Sequence, residues 1–254
     1  MRIPCFRRLV VLPLSVVFFA FACRNPAEDK VAVPDPLTEA PVAANPEPAQ
    51  DTASDDPPLP TLESLPDSAF VKLADYSDGF AYEMRYATTD NFLKAQVYPC
   101  AECYTRAVTA RALLAANTEL KRRGYRIRFY DCYRPNSVQY AMWEIVPNPQ
   151  YVADPVKGSI HNKGGAVDIT LETLDGEPVD MGTDFDFFGP RAHHDYTDLP
   201  QEVLENRKLL KETMERNGFW SIRTEWWHYN LSAASNYPVA DFRWPCPSEP
   251  DTSP

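Results

Sequence analysis

The sequence predicts an α+β domain with a mostly antiparallel central sheet flanked by helices. Two amphipathic helical patterns, over residues 106–123 and 198–217, are separated by short segments that have the two-residue alternation of strands. Strand and helix patterns come in clusters, without the regular strand–helix–strand order that builds a parallel sheet. The sequence shows no internal repeats, so a single globular domain is expected.

The first half of this domain contains a strand, a helix and a second strand. Residues 80–92 begin with strand-like alternation and end in a turn. A helix is predicted over residues 106–123, with Gly124 as its C-terminal stop. Residues 125–130 alternate between apolar and polar and predict the second strand. The helix has one stripe of core-facing residues: Ala110, Leu113, Leu114, Asn117 and Leu120.

A proline marks the end of the second strand. Pro135 cannot continue the pairing, and it biases Arg134 before it toward an extended conformation. A short helix over residues 137–146 and a loop over residues 147–158 are expected next. Residues 166–171 then have the alternation of a strand, which directs its polar positions to one face.

The last third of the chain predicts one helix followed by extended structure. Asp198 is the expected N-cap, with Gln201 three residues later as its capping-box partner. The helix is expected to close at residues 217–218, Asn-Gly. Residues 219–222 and 225–231 are rich in aromatic and branched side chains, which favours two strands or one bent ribbon.

The N-terminal segments predict export. Residues 1–22 combine three arginines with an apolar run too short for a permanent bilayer helix, which is typical of a signal peptide. An alanine directly before Cys23 predicts cleavage and lipidation there, with plain secretion as the alternative. Residues 23–64 are rich in proline and acid and predict a disordered tether, or a tail without a role. Residues 65–254 are left for the domain.

Composition restricts the partners of this protein. The formal net charge is −11, which argues against nucleic acid as a partner. Much of the acid lies in the tether, so the charge says little about an active site. Contact with a membrane is expected only through the N-terminal lipid anchor, and the expected location is the periplasm or cell envelope.

Four cysteines fall within the predicted domain: Cys100, Cys103, Cys132 and Cys246. An even number of cysteines in an exported domain predicts structural disulfides, and three pairings are open. The spacing of Cys100 and Cys103 also fits half a zinc ribbon or a redox pair, but no second cysteine pair follows it.

Two histidines and one aspartate have the composition of a catalytic zinc site, in which the fourth position is left for water. His161 is followed by Gly164 and Gly165, which let the backbone turn tightly before the strand that directs Asp168 off one face. His228, in a distant segment, supplies the second imidazole. One Zn²⁺ per chain is expected.

The chain has two further histidines, His193 and His194, which stay open as alternative ligands. They lie in a polar, loop-like run. A lone histidine is more often structural than metal-binding, and only the neighbouring glycines and aspartate distinguish His161 from that case.

Glu225 and Arg134 have the chemistry that amide hydrolysis needs. Glu225 can take the proton of a water, provided that it lies at a bend while His228 lies inside the strand that follows. A fixed guanidinium at Arg134 can stabilise the negative charge that develops on the carbonyl oxygen. Taken alone, Glu225 is equally compatible with a surface acid, and an arginine such as Arg134 is more commonly a surface residue.

The motif Ser159-x-His161-x-x-Gly-x-Ala166-x-Asp168, followed by Glu225-x-x-His228, resembles the signature of the zinc D,D-peptidases that share a fold with the hedgehog signalling domain. Further motifs are similar to those of the VanX-type D-alanyl-D-alanine dipeptidases in that group: Tyr86-Ala-Thr-Thr-Asp90-Asn91-Phe92, Tyr133-Arg134-Pro135, Phe185-Asp186-Phe187, His193-His194 and Glu225-Trp-Trp-His-Tyr229. The resemblance covers roughly residues 70–232.

This resemblance implies a role for each matching position. His161, Asp168 and His228 would bind zinc, Glu225 would be the catalytic base and Arg134 the stabiliser of the transition state. Asp186 and Tyr86 would lie near the amino end of the substrate, and Ser159 near its backbone or carboxylate.

The implied reaction is hydrolysis of D-Ala-D-Ala to D-alanine in cell-wall peptide metabolism. Two alternatives stay open: a D,D-carboxypeptidase that trims terminal D-Ala from longer peptides, and a non-catalytic zinc-binding module of the same fold. The predicted signal peptide and tether, and the four domain cysteines, depart from the cytoplasmic enzymes of this type.

Overall fold

A five-stranded mixed sheet lies at the centre of the computed structural model, which describes residues 58–246. The strands are β1 (Phe70–Lys72), β2 (Ala81–Tyr82), β3 (Tyr104–Arg106), β4 (Tyr125–Asp131), β5 (Ala166–Thr173), β6 (Phe219–Ser221) and β7 (His228–Leu231). The helices are α1 (Ala107–Lys121), α2 (Asn136–Ile145) and α3 (Gln201–Arg216). The central sheet has the order β2-β4-β5-β7-β6, and β1 pairs with β3 in a separate ribbon.

The pairing pattern confirms the predicted α+β class with a mostly antiparallel sheet. Strands β4, β5, β7 and β6 pair antiparallel, and β2 joins the edge of β4 in parallel. Helix α1 packs on β4 and on α3. Among the described residues, no helix has both the length and the apolar character that crossing a bilayer requires.

Helix α1 and strand β4 form where the periodicity predicts them. Ile127 and Phe129 of β4 are fully buried and lie opposite Leu171 and Ile169 of β5, so these four side chains share the apolar face of the sheet. Gly124 ends the helical segment with φ 86°, a conformation that costs glycine little. Of the predicted stripe on α1, only Leu114 is half-buried rather than buried.

The start of α3 differs from the prediction. The expected N-cap at Asp198 is wrong, because the helix begins at Gln201 and Pro200 occupies the cap position with an extended ψ of 144°. No side chain caps this helix. The predicted strand over residues 225–231 is also shorter, since residues 225–227 form a turn and β7 begins at His228.

The folded domain begins slightly before the predicted boundary at residue 65. Leu62 lies in a short 3₁₀ turn, its side chain is buried in the core, and its carbonyl accepts a hydrogen bond from Arg111. The predicted signal peptide, Cys23 and the tether up to residue 57 lie outside the described residues, as do residues 247–254.

Two disulfides resolve the pairing that the sequence left open. Cys100 is bonded to Cys246, and Cys103 to Cys132. Cys100 and Cys103 therefore belong to different disulfides, which excludes the redox pair and the zinc-ribbon half. The Cys103–Cys132 disulfide connects the start of the β1–β3 ribbon to the end of β4, so it joins the two sheets covalently.

Gly164 provides a test of how tightly the turn after His161 is packed. Its φ is 74°, and a Cβ there would lie 2.6 Å from Cε1 of Phe70. Gly124 has a similar φ of 86° but no atom within 4 Å of such a Cβ. We expect Gly164→Ala to destabilise the fold by about 1–3 kcal/mol more than Gly124→Ala, because only the first adds a clash to the backbone strain. Urea unfolding measures the free energy of unfolding of both variants. Equal decreases would show that the turn after His161 can accommodate a methyl group.

Candidate active site

Sheet pairing places Asp168 between two other polar residues. In β5 it lies opposite His228 of β7 on one side and opposite Asp131 of β4 on the other. The register of β4 shifts between Phe129 and Asp131. A bulge of this kind adds one residue to a strand and redirects the side chains after it. Asp131 therefore shares a face with Asp168, instead of following Phe129 into the apolar core.

His161 reaches this face from a turn rather than from a strand. It opens the 3₁₀ turn His161–Lys163, which Gly164 ends in a left-handed conformation. Two bonds fix the turn to neighbouring elements: Arg106 donates to the carbonyl of Lys163 at 2.6 Å, and Thr109 of α1 donates to the carbonyl of Gly164 at 2.9 Å. The prediction that the glycines permit a tight turn before the strand is confirmed.

Three potential ligand atoms converge at this point. Nδ1 of His228 lies 2.9 Å from Oδ1 of Asp168 and 3.2 Å from Nε2 of His161, and the third separation, between Nε2 of His161 and Oδ1 of Asp168, is 3.4 Å. Ligand atoms at about 2.0–2.1 Å from a tetrahedral zinc ion are separated by about 3.3 Å. The three residues therefore fit one such ion.

The other nitrogen of each imidazole is already bonded. Nδ1 of His161 lies 2.7 Å from the carbonyl of Cys132, and Nε2 of His228 lies 3.0 Å from Oδ1 of Asn230. A carbonyl oxygen can only accept, so each ring has a proton on its outer nitrogen, and in the neutral ring the inner nitrogen is free to offer its lone pair to a metal. Second-layer bonds of this kind orient the histidines of metal sites.

The cluster also controls the charge of its members. Burial by itself would raise the pKa of Asp168, but the adjacent His161 and His228 outweigh it and hold that pKa well below its usual range. Burial would lower the pKa of His228, and the bond to Asp168 raises it instead. The aspartate is therefore an anion at neutral pH, which is the state that binds a cation.

Glu225 lies in the turn immediately before β7, with His228 as the first residue of the strand. This is the arrangement that their spacing requires if both are to face one site. The side chain is half-buried, and burial raises the pKa of its carboxyl. A raised pKa makes the carboxylate a stronger base.

Arg134 is buried and held rigidly. Its Nε and one terminal nitrogen donate to Oδ2 of Asp131 at 3.0 and 2.6 Å, and its other terminal nitrogen donates to Oε1 of Gln139 at 3.0 Å. The guanidinium also lies over the ring of Tyr86, 5.2 Å from its centroid. Burial would lower its pKa, but Asp131 raises it well above the usual value, so the group stays charged.

A second carboxylate, that of Asp186, lines the same cavity as the cluster. Asp186 accepts from the hydroxyl of Tyr86 at 3.2 Å, and its backbone has φ 60°, which is uncommon for a residue other than glycine. Burial, followed by the charge of Asp168, raises the pKa of Asp186 well above its usual range. Its hydrogen-bond partner is neutral, so an added cation would compensate its charge.

Ser159 is oriented by Asn162, whose Oδ1 accepts from the Ser159 backbone at 2.6 Å and from its hydroxyl at 3.0 Å. The same Asn162 donates to the carbonyl of Arg134 at 2.8 Å. One buried amide thus connects the turn that carries His161 to the segment that carries Arg134.

All eight residues that the sequence singled out line one cavity of about 270 Å³: Tyr86, Arg134, Ser159, His161, Asp168, Asp186, Glu225 and His228. The alternative ligands His193 and His194 do not join the cluster. His193 contacts Arg223 at 3.0 Å, and burial lowers the pKa of His194 to about 4.

Sequence reasoning missed the residues that hold this set in place. Asn230 lies two positions after His228 on the same strand face, so the strand period could have indicated it. Asp131 depends on the bulge, which no pattern in the sequence reveals. Gln139 lies on α2, where it is fully buried, and nothing in the sequence signals its contact with Arg134.

A two-histidine, one-carboxylate cluster beside a half-buried glutamate and a fixed arginine defines a candidate metal-dependent hydrolase. Comparison with known families agrees. The chain belongs to the peptidase M15 family, whose model, described as D-ala-D-ala dipeptidase, matches residues 67–246. It is therefore a peptidase.

Named relatives cover the same region. The D-alanyl-D-alanine dipeptidase of Escherichia coli (strain K12) is 36% identical over 184 residues, covering 72% of this chain and 94% of the relative. The D-alanyl-D-alanine dipeptidase of Enterococcus faecalis is 32% identical over 186 residues, which cover 65% of this chain and 92% of the relative. A solved structure of the vancomycin-resistance D,D-pentapeptidase VanY with Zn(II) aligns at 16% identity and a TM-score of 0.35, covering 51% of this chain and 73% of that one.

Proposed function

We propose that this protein is a zinc-dependent dipeptidase that hydrolyses D-Ala-D-Ala. The observation that carries the proposal is the single cavity in which a metal-binding cluster, a base and a fixed cation face one another. The substrate is inferred from the relatives, which are named D-alanyl-D-alanine dipeptidases and are matched over more than nine-tenths of their length.

The zinc ion would be held by His161, Asp168 and His228, whose three ligand atoms have the separations that a tetrahedral ion requires. When bound, it would polarise the scissile carbonyl and lower the pKa of a water molecule.

Glu225 serves as the general base. It lines the cavity next to the cluster without being one of the three convergent ligands. Its half-buried carboxylate takes a proton from the attacking water and returns it to the leaving amine, which must be protonated before it departs as D-alanine.

Arg134 stabilises the oxyanion that forms as the water attacks. Its bonds to Asp131 and Gln139 fix the guanidinium before any substrate arrives, so no reorganisation is needed during the reaction. A fixed charge of this kind favours the transition state over the uncharged carbonyl of the substrate.

Asp186 and Tyr86 bind the free ammonium of the dipeptide. A half-buried carboxyl with a raised pKa is poorly solvated in its charged form, and a substrate cation would stabilise that form. Ser159, held by Asn162 in the same cavity, is assigned to the backbone or carboxylate of the substrate.

Two substitutions test the assignment of ligands and base. In Glu225→Ala, zinc content should persist while kcat falls by about 100- to 10,000-fold, the usual contribution of a general base. In His161→Ala, zinc should be lost because the cluster drops to two ligands. Elemental analysis and steady-state kinetics measure both. Full turnover in Glu225→Ala would contradict the assignment of Glu225 as the base. Unchanged metal content in His161→Ala would contradict the assignment of His161 as a ligand.

One observation favours a second candidate function. A cavity of about 400 Å³ adjoins the active site and shares Gln150, Tyr151, Phe188 and Glu225 with it, which offers room for part of a longer peptide. The second candidate function is therefore that of a D,D-carboxypeptidase, which removes the terminal D-Ala from longer peptides.

A substrate panel separates the two functions. Free D-Ala-D-Ala should be hydrolysed in preference to its N-acylated form and to a pentapeptide ending in D-Ala-D-Ala, because Asp186 requires an ammonium. Asp186→Asn should raise KM for the free dipeptide by about tenfold or more, as expected for loss of a charge-assisted bond, and change KM for the acylated form little. Faster hydrolysis of the pentapeptide would favour the carboxypeptidase. If the zinc-loaded protein hydrolysed none of them, it would be a non-catalytic binding module.

The proposed location is the cell envelope, with the chain anchored through lipidated Cys23. The two disulfides support an oxidising compartment, since disulfides are rare in the cytosol of most bacteria.

A further inference from the structure

Strand β4 leaves the sheet after Asp131, and the residues that follow contact His161 through their backbone. The carbonyl of Cys132 lies 2.7 Å from Nδ1 of His161, and the amide of Arg134 donates to the carbonyl of His161 at 3.2 Å. The position of Cys132 therefore decides how one imidazole of the cluster is oriented.

Cys132 is fully buried just beyond the end of β4. It lies beyond the last paired residue of β4, so the ladder of the central sheet does not fix it. Its side chain is bonded to Cys103, and the next residue, Tyr133, donates its amide to the carbonyl of Tyr104 at 2.8 Å. Both contacts reach the β1–β3 ribbon, where the carbonyl of Cys103 accepts from Leu73 at 3.0 Å.

The same residue is connected to the arginine. The amide of Cys132 donates to Oδ1 of Asp131 at 2.8 Å, while Oδ2 of Asp131 holds Arg134. Oδ1 also accepts from the hydroxyl of Tyr98 at 2.6 Å. A shift of Cys132 would therefore disturb a metal ligand and the fixed cation together.

We propose that the Cys103–Cys132 disulfide positions the metal site. It holds the Cys132 carbonyl where that oxygen fixes the proton and the ring plane of His161, so zinc affinity depends on this disulfide. The inference rests on the proposed function, because it names what orients one of the proposed ligands.

The second disulfide is a matched control within the same chain. Cys100 and Cys246 are separated by 146 residues, and Cys103 and Cys132 by 29. Constraint of the unfolded chain grows with loop length, so a purely structural role would give Cys100–Cys246 the larger effect. A positioning role predicts the opposite order for zinc affinity.

The experiment compares Cys103→Ala/Cys132→Ala with Cys100→Ala/Cys246→Ala and with the unchanged full chain. Zinc affinity is measured by competition with a chelator of known affinity, and thermal unfolding is followed without zinc. The first variant should bind zinc at least about tenfold more weakly, the usual effect of losing a bond behind a metal ligand. The second should stay within about threefold of the unchanged chain. Equal affinities in the two variants, or a larger loss in the second, would overturn the proposal.

A measurement on the unchanged chain covers the case in which the first variant fails to fold. If the disulfide strengthens zinc binding, zinc must disfavour reduction of the disulfide by the same factor. Each protein disulfide takes two electrons and two protons from two molecules of 2-mercaptoethanol, giving two protein thiols and the oxidised mercaptoethanol disulfide. The midpoint reduction potential of each disulfide is measured by alkylating the free thiols and quantifying them by mass spectrometry, with free zinc held constant.

Zinc should make the midpoint reduction potential of the Cys103–Cys132 disulfide more negative by about 30 mV or more, which corresponds to a tenfold change in equilibrium constant for a two-electron couple. The potential of Cys100–Cys246 should not change. No shift of the Cys103–Cys132 potential, or a shift in the other direction, would overturn the proposal. A wild-type chain that binds no zinc would instead refute the proposed function. A chain that binds zinc and hydrolyses the dipeptide, but has equal affinities in both variants, refutes this inference alone.

Discussion

The antiparallel pairing of β5 with both β4 and β7 is the constraint on which the site depends. It places Asp168 directly opposite His228 and opposite Asp131, so one row across three strands carries two of the proposed metal ligands and the anchor of the arginine. The bulge in β4 is what turns Asp131 to this face. Without it, the regular alternation of the strand would direct that carboxylate into the apolar core beside Phe129.

Buried charge in this cavity is compensated group by group. Asp131 pairs with Arg134, and Asp168 lies between the imidazoles of His161 and His228, the two histidines proposed as metal ligands. Asp186 is the exception, since its partner is the neutral hydroxyl of Tyr86. A poorly solvated carboxylate without a charged partner is destabilised, and a cation from outside the chain would relieve this. Under the proposed function, the burial that raises the pKa of Asp186 is also what favours binding of the ammonium of the substrate.

The sequence predicts this fold and site unevenly, and the reason is physical. The apolar stripe of α1 and the glycines after His161 are determined by residues close together in sequence, so a single sequence is enough to predict them. The cap of α3 differs from the prediction because Pro200 changes the entry to the helix. The bulge before Asp131 and the Gln139 contact arise from packing between elements far apart in sequence, and no periodicity reports them. The pairing of the cysteines has the same origin.

X-ray absorption at the zinc K-edge tests the central claim most directly, because it reports the atoms around the ion in the full chain. The account predicts one zinc per chain with two imidazole nitrogens and oxygen neighbours at about 2.0–2.1 Å, and one imidazole fewer in His228→Ala. Sulfur neighbours at about 2.3 Å, or a spectrum unchanged in His228→Ala, would contradict it.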